Sequence, residues 1–415
     1  MKDALFVAGI LFLIFPGLVL WRLPLIARVD LTARLAIAFA GGVAIVTLLL
    51  YVYNFAHIPW TRTTVGTPLI ALGVFGLRGA NLKWDSRGRL SSALILVFVA
   101  LTIYGVITAR ETCGDLIFFW GPKGQRFHYA GKIDADFLGY NHYYLMHYDY
   151  PPLLPLAYAW ASLVAHQFSW WGALFFTPVA LLAMAFAFRG LAAPAVGEER
   201  ARWYAVLLAA IVGYGFAIGM VGGAAEPPLL LFEIIAIAAL TFAGDQRDAQ
   251  ILAAIALAAV ALTKVEGAAF VAIAVVAYLI VSRKAVRTAL VALPAVALLG
   301  SWILFCWRHN LLDSYGRAKS AMHLELFRRT LTETLHQASY DVGWVPWIAT
   351  LAPLAISRRL RRSLLPLIVA AGTMASTLFF YLHADNPWWW IEASAQRVLL
   401  TPLVCLVVAS AAASE

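Results

Sequence analysis

Apolar segments of about 17 to 25 residues, long enough to cross a hydrocarbon core of about 30 Å as helices, recur along the whole chain. Only 13% of the 415 residues are charged and mean hydropathy is +0.80. A soluble domain carries about 25% charged residues, so this composition excludes a large soluble protein. No run of residues alternates with period two, as barrel strands would. The sequence predicts one all-α domain over residues 1–415, a polytopic transmembrane helical bundle of about 12 to 14 helices.

Basic residues in the short loops predict the orientation of the bundle. The linker over residues 22–34 and the loop over 78–89 are rich in Arg and Lys, so the positive-inside rule makes both cytoplasmic. The span over 90–109 then delivers residues 110–150, the first large extracytoplasmic loop, to the other side. The net charge of +9 reflects this orientation rather than nucleic-acid binding, and membrane lipids are the expected surroundings.

Two later basic clusters, over residues 283–287 and 358–362, should also be cytoplasmic. Working back from them places further polar segments on the same side as the first loop. These segments are 222–228, 263–267, 307–341 (the second extracytoplasmic loop) and 383–397. The polar chemistry of the chain is therefore expected at one face of the membrane.

The stretch between the first loop and the basic residues after position 188 contains two apolar segments, 151–167 and 171–188. An odd number of crossings is required there. The first segment contains Pro151, Pro152 and Pro155, which favours a half-span or re-entrant helix buried in protein.

Asp115 is the most conspicuous acid of the first loop. It precedes LIFFWGPKGQRFHYAG, which reads as a short amphipathic helix whose aromatics suit the interface and whose Lys123 suits an anionic headgroup or phosphate. A carboxylate at a helix amino terminus is stabilised as the anion, so Asp115 is a candidate general base. The competing interpretation is a solvated or anchoring charge at the membrane boundary. Asp134 and Asp136 lie in a turn-like polar segment and are predicted to be solvated.

The segment HYDYPPLLPL, over residues 147–156, opens the next helix. An interfacial aromatic belt with proline in the first helical turn explains the tyrosines and prolines. His147 and Asp149 fit that explanation less well. They are candidates for binding a substrate, and Asp149 is also placed to cap the helix.

Ionisable residues stand at the entrances of two later spans. Glu226 follows the small residues of MVGGAA, which allow close backbone approach, and is a candidate functional acid or a cap for the helix at Pro227. Glu233 lies two turns deeper on the same face and needs a partner. Lys264 and Glu266, in LTKVEG, form either a buried structural pair or an anion-binding site.

The last candidates are arginines. The 307–341 loop has an excess of basic residues, among them Arg328 and Arg329, on the side where topology disfavours them, which indicates an anionic ligand. Arg397 begins the final span after the interfacial tryptophans of NPWWW. It is placed either to snorkel towards the headgroups or to clamp a phosphate.

These motifs together resemble the GT-C superfamily of integral-membrane glycosyltransferases. The resemblance is carried by GD-L-I-x-x-W-x-x-K-G, then DYPPLLPL, the small-residue run ending in Glu226, LTKVEG and WWWIEASAQRVLL, in this order over about residues 105–405. The chain is most similar to the bacterial branch that includes lipid A aminoarabinose transferase and lipopolysaccharide sugar transferases.

The resemblance implies a bacterial inner-membrane enzyme with a periplasmic active site, which transfers a sugar from a polyprenyl-phosphate donor to a lipid, glycan or protein acceptor. It assigns Asp115 to the acid that acts as base or orients the acceptor, and Glu226 to the second acidic motif. Lys264 and Arg397 match residues near the donor phosphate, and the match at His147 and Asp149 is weaker. Because the second acid is Glu rather than Asp, the resemblance leaves a divalent metal cofactor open, and no metal ligands are predicted.

Two other functions fit the spans and the basic loop. An O-antigen ligase or polymerase would use the 307–341 loop to hold a lipid pyrophosphate but would leave Asp115 without a role. A flippase for lipids or lipid-linked sugars would place polar residues in the middle of several spans, where the sequence has little besides Glu233. No phosphate-loop, dinucleotide or zinc-protease motif occurs in a meaningful context.

Overall fold

The computed structural model describes residues 1–78, 89–109, 114–140, 147–218, 223–312, 322–340, 343–384 and 386–414. All regular structure within these ranges is helical, which confirms the predicted all-α class. The first part of the chain forms α1 (Lys2–Phe12), α2 (Ile14–Gly17), α3 (Pro24–Ala27), α4 (Leu31–Phe55), α5 (Arg62–Leu77), α6 (Arg89–Ala109), α7 (Gly121–Ala130) and α8 (Ala135–Tyr140).

The middle of the chain forms α9 (Leu153–Ala165), α10 (Trp170–Leu174), α11 (Phe176–Val196), α12 (Glu198–Ile218), α13 (Glu226–Ala243), α14 (Arg247–Ala261), α15 (Val265–Ser282) and α16 (Ala285–Arg308). The last part forms α17 (Phe327–Tyr340), α18 (Trp344–Ile356), α19 (Leu364–Leu382), α20 (Pro387–Val398) and α21 (Leu400–Ala413). Short 3₁₀ turns cover Leu18–Arg22, Leu324–Leu326 and Leu360–Ser363, and a π turn covers Leu116–Trp120.

Nine helical segments of the described chain are long and apolar enough to cross a membrane. They are Lys2–Arg22, Leu31–Phe55, Arg89–Thr108, Trp170–Val196, Glu226–Ala243, Val265–Ser282, Ala285–Arg308, Leu360–Leu382 and Pro387–Ala413. The protein is therefore a multi-pass membrane protein. The difference from the predicted 12 to 14 lies in shorter apolar helices, α5, α9 and α18, and in helices that begin with charged residues, such as α12 and α14.

Helix α9 lies in the stretch for which the loop charges predict an odd number of membrane crossings. It has 13 residues, about 20 Å of helix, and nearly all of them are buried, in contact with α1, α4 and α7. Arg62 closes its carboxyl end, with Nε donating to the carbonyl of Leu163 at 2.6 Å. This length agrees with the predicted half-span, because a helix of about 20 Å does not cross the hydrocarbon core.

The predicted amphipathic helix of the first loop is present as the π turn followed by α7. Helix α7 packs closely against α9 and α10 because it carries glycine at one contact position with each. A Cβ at Gly124 would lie 2.8 Å from the Cβ of Tyr158, and one at Gly121 would lie 2.3 Å from the ring of Trp170. The spacing of the GPKG motif thus fixes this loop on the membrane bundle.

Helix α13 is buried along most of its length, in contact with α11, α14 and α21. It has 18 residues, so its ends lie about 27 Å apart. Helix α15 begins directly after Lys264 and ends at Ser282. The polar groups of α13 are described below.

Candidate functional site

Five residues predicted as site residues meet in one chain of ion pairs, called here the ion-pair cluster: Asp115, Glu226, Lys264, Glu266 and Arg397. Arg397 Nη1 lies 2.7 Å from Asp115 Oδ2 and 3.5 Å from Glu226 Oε1. Lys264 Nζ lies 2.9 Å from the same Glu226 oxygen and 3.4 Å from Glu266 Oε1. Residues separated by up to 282 positions in sequence are therefore brought within hydrogen-bonding distance.

Helix ends hold each member of the cluster. Asp115 immediately precedes the π turn, and Glu226 and Glu266 lie in the first turns of α13 and α15. Lys264 is the N-cap residue of α15, while Arg397 lies in the last turn of α20. The positive ends of α13 and α15 favour the two carboxylates, and the negative end of α20 favours the guanidinium.

Gly223, in the loop before Glu226, packs against Leu116, the residue that follows Asp115. Gly223 has φ of 75°, a conformation that favours glycine, and a Cβ there would lie 2.7 Å from the Cβ of Leu116. Its N–H faces Thr177 Oγ1 at 3.4 Å. The close approach that the small residues predicted is thus present at Gly223, and it holds Asp115 near Glu226.

The cluster is buried in its centre and open at its ends. The Glu226 side chain is 3% exposed and that of Lys264 is 9%, whereas Asp115 is 19% and Glu266 is 45% exposed. Asp115 Oδ1 accepts no hydrogen bond from the described residues, and the same holds for the buried Glu226 Oε2. Two carboxylate oxygens can therefore still accept a proton or a hydrogen bond from a ligand.

Lys264 is held in the charged form. Its burial works against the ammonium, but the carboxylates of Glu226 and Glu266 outweigh this effect and raise the pKa of Lys264. The cluster as a whole has two cations and three carboxylates. Within the ranges that the structure describes, no three His, Cys, Asp or Glu side chains are grouped as metal ligands would be.

Glu233, which lies deep in its span and was expected to need a hydrogen-bond partner, is paired with Thr401. Thr401 Oγ1 donates a hydrogen bond to Glu233 Oε2 at 2.8 Å, about two helical turns below Glu226. Sequence reasoning missed Thr401. A buried carboxylate requires a donor, but many Ser and Thr residues of the spans could supply one, and no pattern distinguishes Thr401 from the others.

Lys123, predicted to bind substrate, is instead buried inside the first loop. It is 2% exposed, its Nζ donates to the carbonyl of His147 at 2.5 Å, and it lies 5.4 Å from the ring centroid of Trp120. The His147 ring is stacked on Tyr150 with centroids 4.8 Å apart. The Asp149 carbonyl accepts a hydrogen bond from the indole of Trp302 on α16 at 2.8 Å. These contacts tie α7 to the start of α9, so Lys123 has a structural role.

The buried lysine makes the stability of this loop depend on pH. Burial lowers the pKa of Lys123 from 10.5 to about 7, although Asp149 favours the charged form. Between these values the unfolded chain binds the proton more tightly, so stability should rise as pH increases from about 7 to about 10.5. We expect this rise, on the order of 3 to 5 kcal/mol, to be absent in Lys123→Met. Thermal unfolding in detergent across this pH range measures it, and an identical pH dependence of the two proteins would contradict the lowered pKa of Lys123.

Arg328 and Arg329, also predicted to bind substrate, lie on the exposed side of α17. Arg329 stacks over the ring of Trp388 at 4.2 Å. Among the described residues neither arginine pairs with the ion-pair cluster. Both side chains are exposed to solvent. Their helix, α17, packs against α20, the helix that presents Arg397.

The prediction that Asp134 is solvated was wrong. Asp134 is 3% exposed, accepts a hydrogen bond from Arg126 Nε at 2.6 Å and caps α8 by accepting from the Phe137 N–H at 3.1 Å. Burial opposes the carboxylate, but these hydrogen bonds prevail and keep the pKa of Asp134 below its usual range. The helix α8 that needs this cap was read as a turn. Asp136 is exposed, as predicted.

Comparison of the chain with protein-family models, with curated proteins and with solved structures gives no match.

Proposed function

We propose that the protein is a membrane glycosyltransferase of the GT-C type that transfers a sugar from a polyprenyl-phosphate donor to a hydroxyl of a lipid, glycan or protein acceptor. The observation that supports this proposal best is the chain of contacts Asp115–Arg397–Glu226–Lys264. It unites a carboxylate that has an unused oxygen with two cations suited to a phosphate. Each of these residues is also one that the GT-C resemblance singled out.

The reaction that suits this arrangement is a single inverting displacement. Asp115 accepts the proton of the acceptor hydroxyl while the oxygen of that hydroxyl forms a bond to the anomeric carbon of the sugar. The bond between that carbon and the phosphate oxygen breaks, and its electron pair leaves with the polyprenyl phosphate. Arg397 and Lys264 stabilise the charge that develops on the departing phosphate. Because the leaving group is the polyprenyl phosphate, the reaction needs no nucleotide-linked sugar.

Both cations keep donors for this task. An ammonium has three N–H donors, and Lys264 directs one to Glu226 at 2.9 Å. Arg397 uses Nη1 for Asp115, and its Nη2 lies 3.4 Å from the carbonyl of Ala393. The carboxylates hold the two cations in place before a donor arrives, and the phosphate then shares them. Such pre-arranged charges need no reorganisation during the reaction.

The site is proposed to face the periplasm of a bacterial inner membrane. The basic residues Lys284 and Arg287 lie beyond the end of α15 that is remote from Lys264. If these residues are cytoplasmic, the ion-pair cluster lies at the opposite face. The lipid tail of the donor would then lie between spans with its phosphate at this face.

The geometry favours this function over a ligase that relies on the 307–341 loop. Arg328 and Arg329 are exposed and lie outside the cluster, so they are poorly placed to hold a pyrophosphate against Asp115. A flippase is favoured less, because Glu233 is held by Thr401 inside the bundle rather than facing a polar pathway.

The purified protein in detergent should release polyprenyl phosphate from a synthetic polyprenyl-phosphate sugar in the presence of a suitable acceptor extract. Product formation followed by mass spectrometry measures this. Two control donors carry the same sugar, one on polyprenyl pyrophosphate and one on a nucleoside diphosphate. Turnover of the pyrophosphate donor alone would support a ligase, and movement of the lipid across vesicles without transfer would support a flippase; either result would contradict the proposal.

A further inference from the structure

The last membrane-spanning segment of the described chain is broken at Leu399 into α20 and α21. Pro402, in the first turn of α21, has no N–H, so it cannot donate the helical hydrogen bond to the carbonyl of Val398, four residues earlier. Arg397 lies just before the break and Thr401 just after it. The position of Arg397 relative to the rest of the bundle therefore depends on how this break is held.

The two sides of the break pack against different groups of buried apolar side chains. Leu399 belongs with Tyr381 and Ile391 to a small cluster in which α20 rests on α17 and α19. Leu400, the next residue, belongs to the main core of the bundle, which also contains the apolar residues of α13. Contacts across the break thus determine how α20 is placed relative to α13.

Thr401 makes a hydrogen bond that differs from those of other helical threonines in the described chain. The hydroxyls of Thr102, Thr288 and Thr373 donate to the carbonyl four residues earlier in their own helices, as is common for threonine. Thr401 Oγ1 donates instead to Glu233 Oε2 on α13, at 2.8 Å. This bond joins the first turn of α21 to α13 immediately beyond the break.

Helix α13 therefore contacts both sides of the break through two carboxylates on one face. Glu226, in its first turn, lies 3.5 Å from Arg397 Nη1. Glu233 lies two turns later, about 10 Å along the helix axis, and holds Thr401. The first contact belongs to the ion-pair cluster, whereas the second lies deeper in the bundle and involves no cation.

We infer that Glu233 and Thr401 are positioning residues that place Arg397 in the ion-pair cluster. Their hydrogen bond fixes the start of α21 against α13, and the break then directs α20 and its arginine towards Asp115, at 2.7 Å. A displacement of about 1 Å at a catalytic contact can lower a rate about a hundredfold. The inference deepens the proposed function and rests on it, since Arg397 stabilises the departing phosphate there.

The positioning bond is tested first without any substrate. Thr401→Val removes the donor with little change of shape, and Thr373→Val is the matched control, because Thr373 is 7% exposed and bonds to carbonyls of its own helix. Hydrogen exchange of the purified protein is followed by mass spectrometry. We expect exchange in α20 to become at least about fivefold faster in Thr401→Val, because Glu233 loses its donor, and to stay unchanged in the control. Thr401→Ala should behave like Thr401→Val, and Thr401→Ser should restore the slow exchange.

The second measurement is transfer from the polyprenyl-phosphate donor. Thr401→Val should lower kcat/KM for the donor by about one to two orders of magnitude, and Thr401→Ser should recover it to within about threefold. In an Arg397→Lys background the same substitution should change kcat/KM less than about threefold, because no guanidinium is left to position. Glu233→Gln keeps an oxygen that accepts from Thr401, so its kcat/KM should stay within about threefold of the wild type.

The outcomes separate this inference from the proposed function. Unchanged exchange in α20 of Thr401→Val would overturn the inference, as would losses that add fully to those of Arg397→Lys. A large loss in Glu233→Gln would also overturn it, in favour of a direct role of the carboxyl group. If the wild type used no polyprenyl-phosphate donor, the proposed function would fail, while faster exchange in Thr401→Val would still support the placement of α20 by this bond.

Discussion

On the function proposed above, Asp115→Asn is expected to lower the rate of sugar transfer by about two to four orders of magnitude, the usual contribution of a general base, while the protein remains folded. Asn keeps a carbonyl oxygen that can accept the hydrogen bond from Arg397, now 2.7 Å from Asp115 Oδ2. It cannot accept the proton of the acceptor hydroxyl. The measurement is the steady-state rate of transfer from the polyprenyl-phosphate donor proposed above, compared with the wild type.

Asp115 also holds Arg397, so the kinetic constants must separate two roles. A base that acts on the acceptor affects kcat and leaves KM for the donor nearly unchanged. If Asp115 only positioned Arg397, the substitution would raise KM for the donor, as Arg397→Lys should, because a lysine cannot span the same contacts. A rise in donor KM with unchanged kcat would therefore contradict the assignment of Asp115 as base.

Asp136→Asn is the matched control for Asp115→Asn. Asp136 lies in the same loop and is exposed, and the substitution removes the same charge. We expect activity within about twofold of the wild type, since exposed charges contribute little. Equal losses in both variants would indicate a general charge effect on the loop rather than chemistry at Asp115.

The fold class and most members of the cluster could be predicted from the sequence because both follow from strong local signals. A length of about 20 apolar residues indicates a membrane helix without any tertiary information. An ionisable residue at the end of such a helix needs a partner, so Glu226, Lys264 and Arg397 stood out as candidates. Their common side of the membrane followed from the basic loops.

The pairing itself could not be predicted, because it depends on how helices that are distant in sequence pack. The sequence left open whether Lys264 pairs with Glu266 or binds a ligand, and the structure places Glu226 closer to it, at 2.9 Å. The burial of Lys123 and of Asp134 was missed for a related reason. Both are polar residues of a loop, and only the packing of α7 on α9 and the presence of α8 bury them.

The Lys264→Met protein should be less stable than the wild type by about 3 to 5 kcal/mol, the usual cost of leaving one member of a buried ion pair without its partner. The Glu226 side chain is 3% exposed and would retain only Arg397, at 3.5 Å. Methionine fills a similar volume, so the loss comes mainly from the uncompensated carboxylate rather than from a cavity. Thermal unfolding of the purified protein in detergent measures the difference.

Two further variants separate the buried charge from other effects of removing Lys264. Lys264→Met combined with Glu226→Gln should recover much of the stability, because the amide no longer needs a cation. Lys284→Met, near the other end of α15, removes a lysine whose partner Asp245 is 84% exposed, and should cost less than about 1 kcal/mol. If the double variant were as unstable as Lys264→Met alone, Lys264 would act by packing. The ion-pair cluster would then be a weaker basis for holding a phosphate, since its cations would not be fixed by the carboxylates.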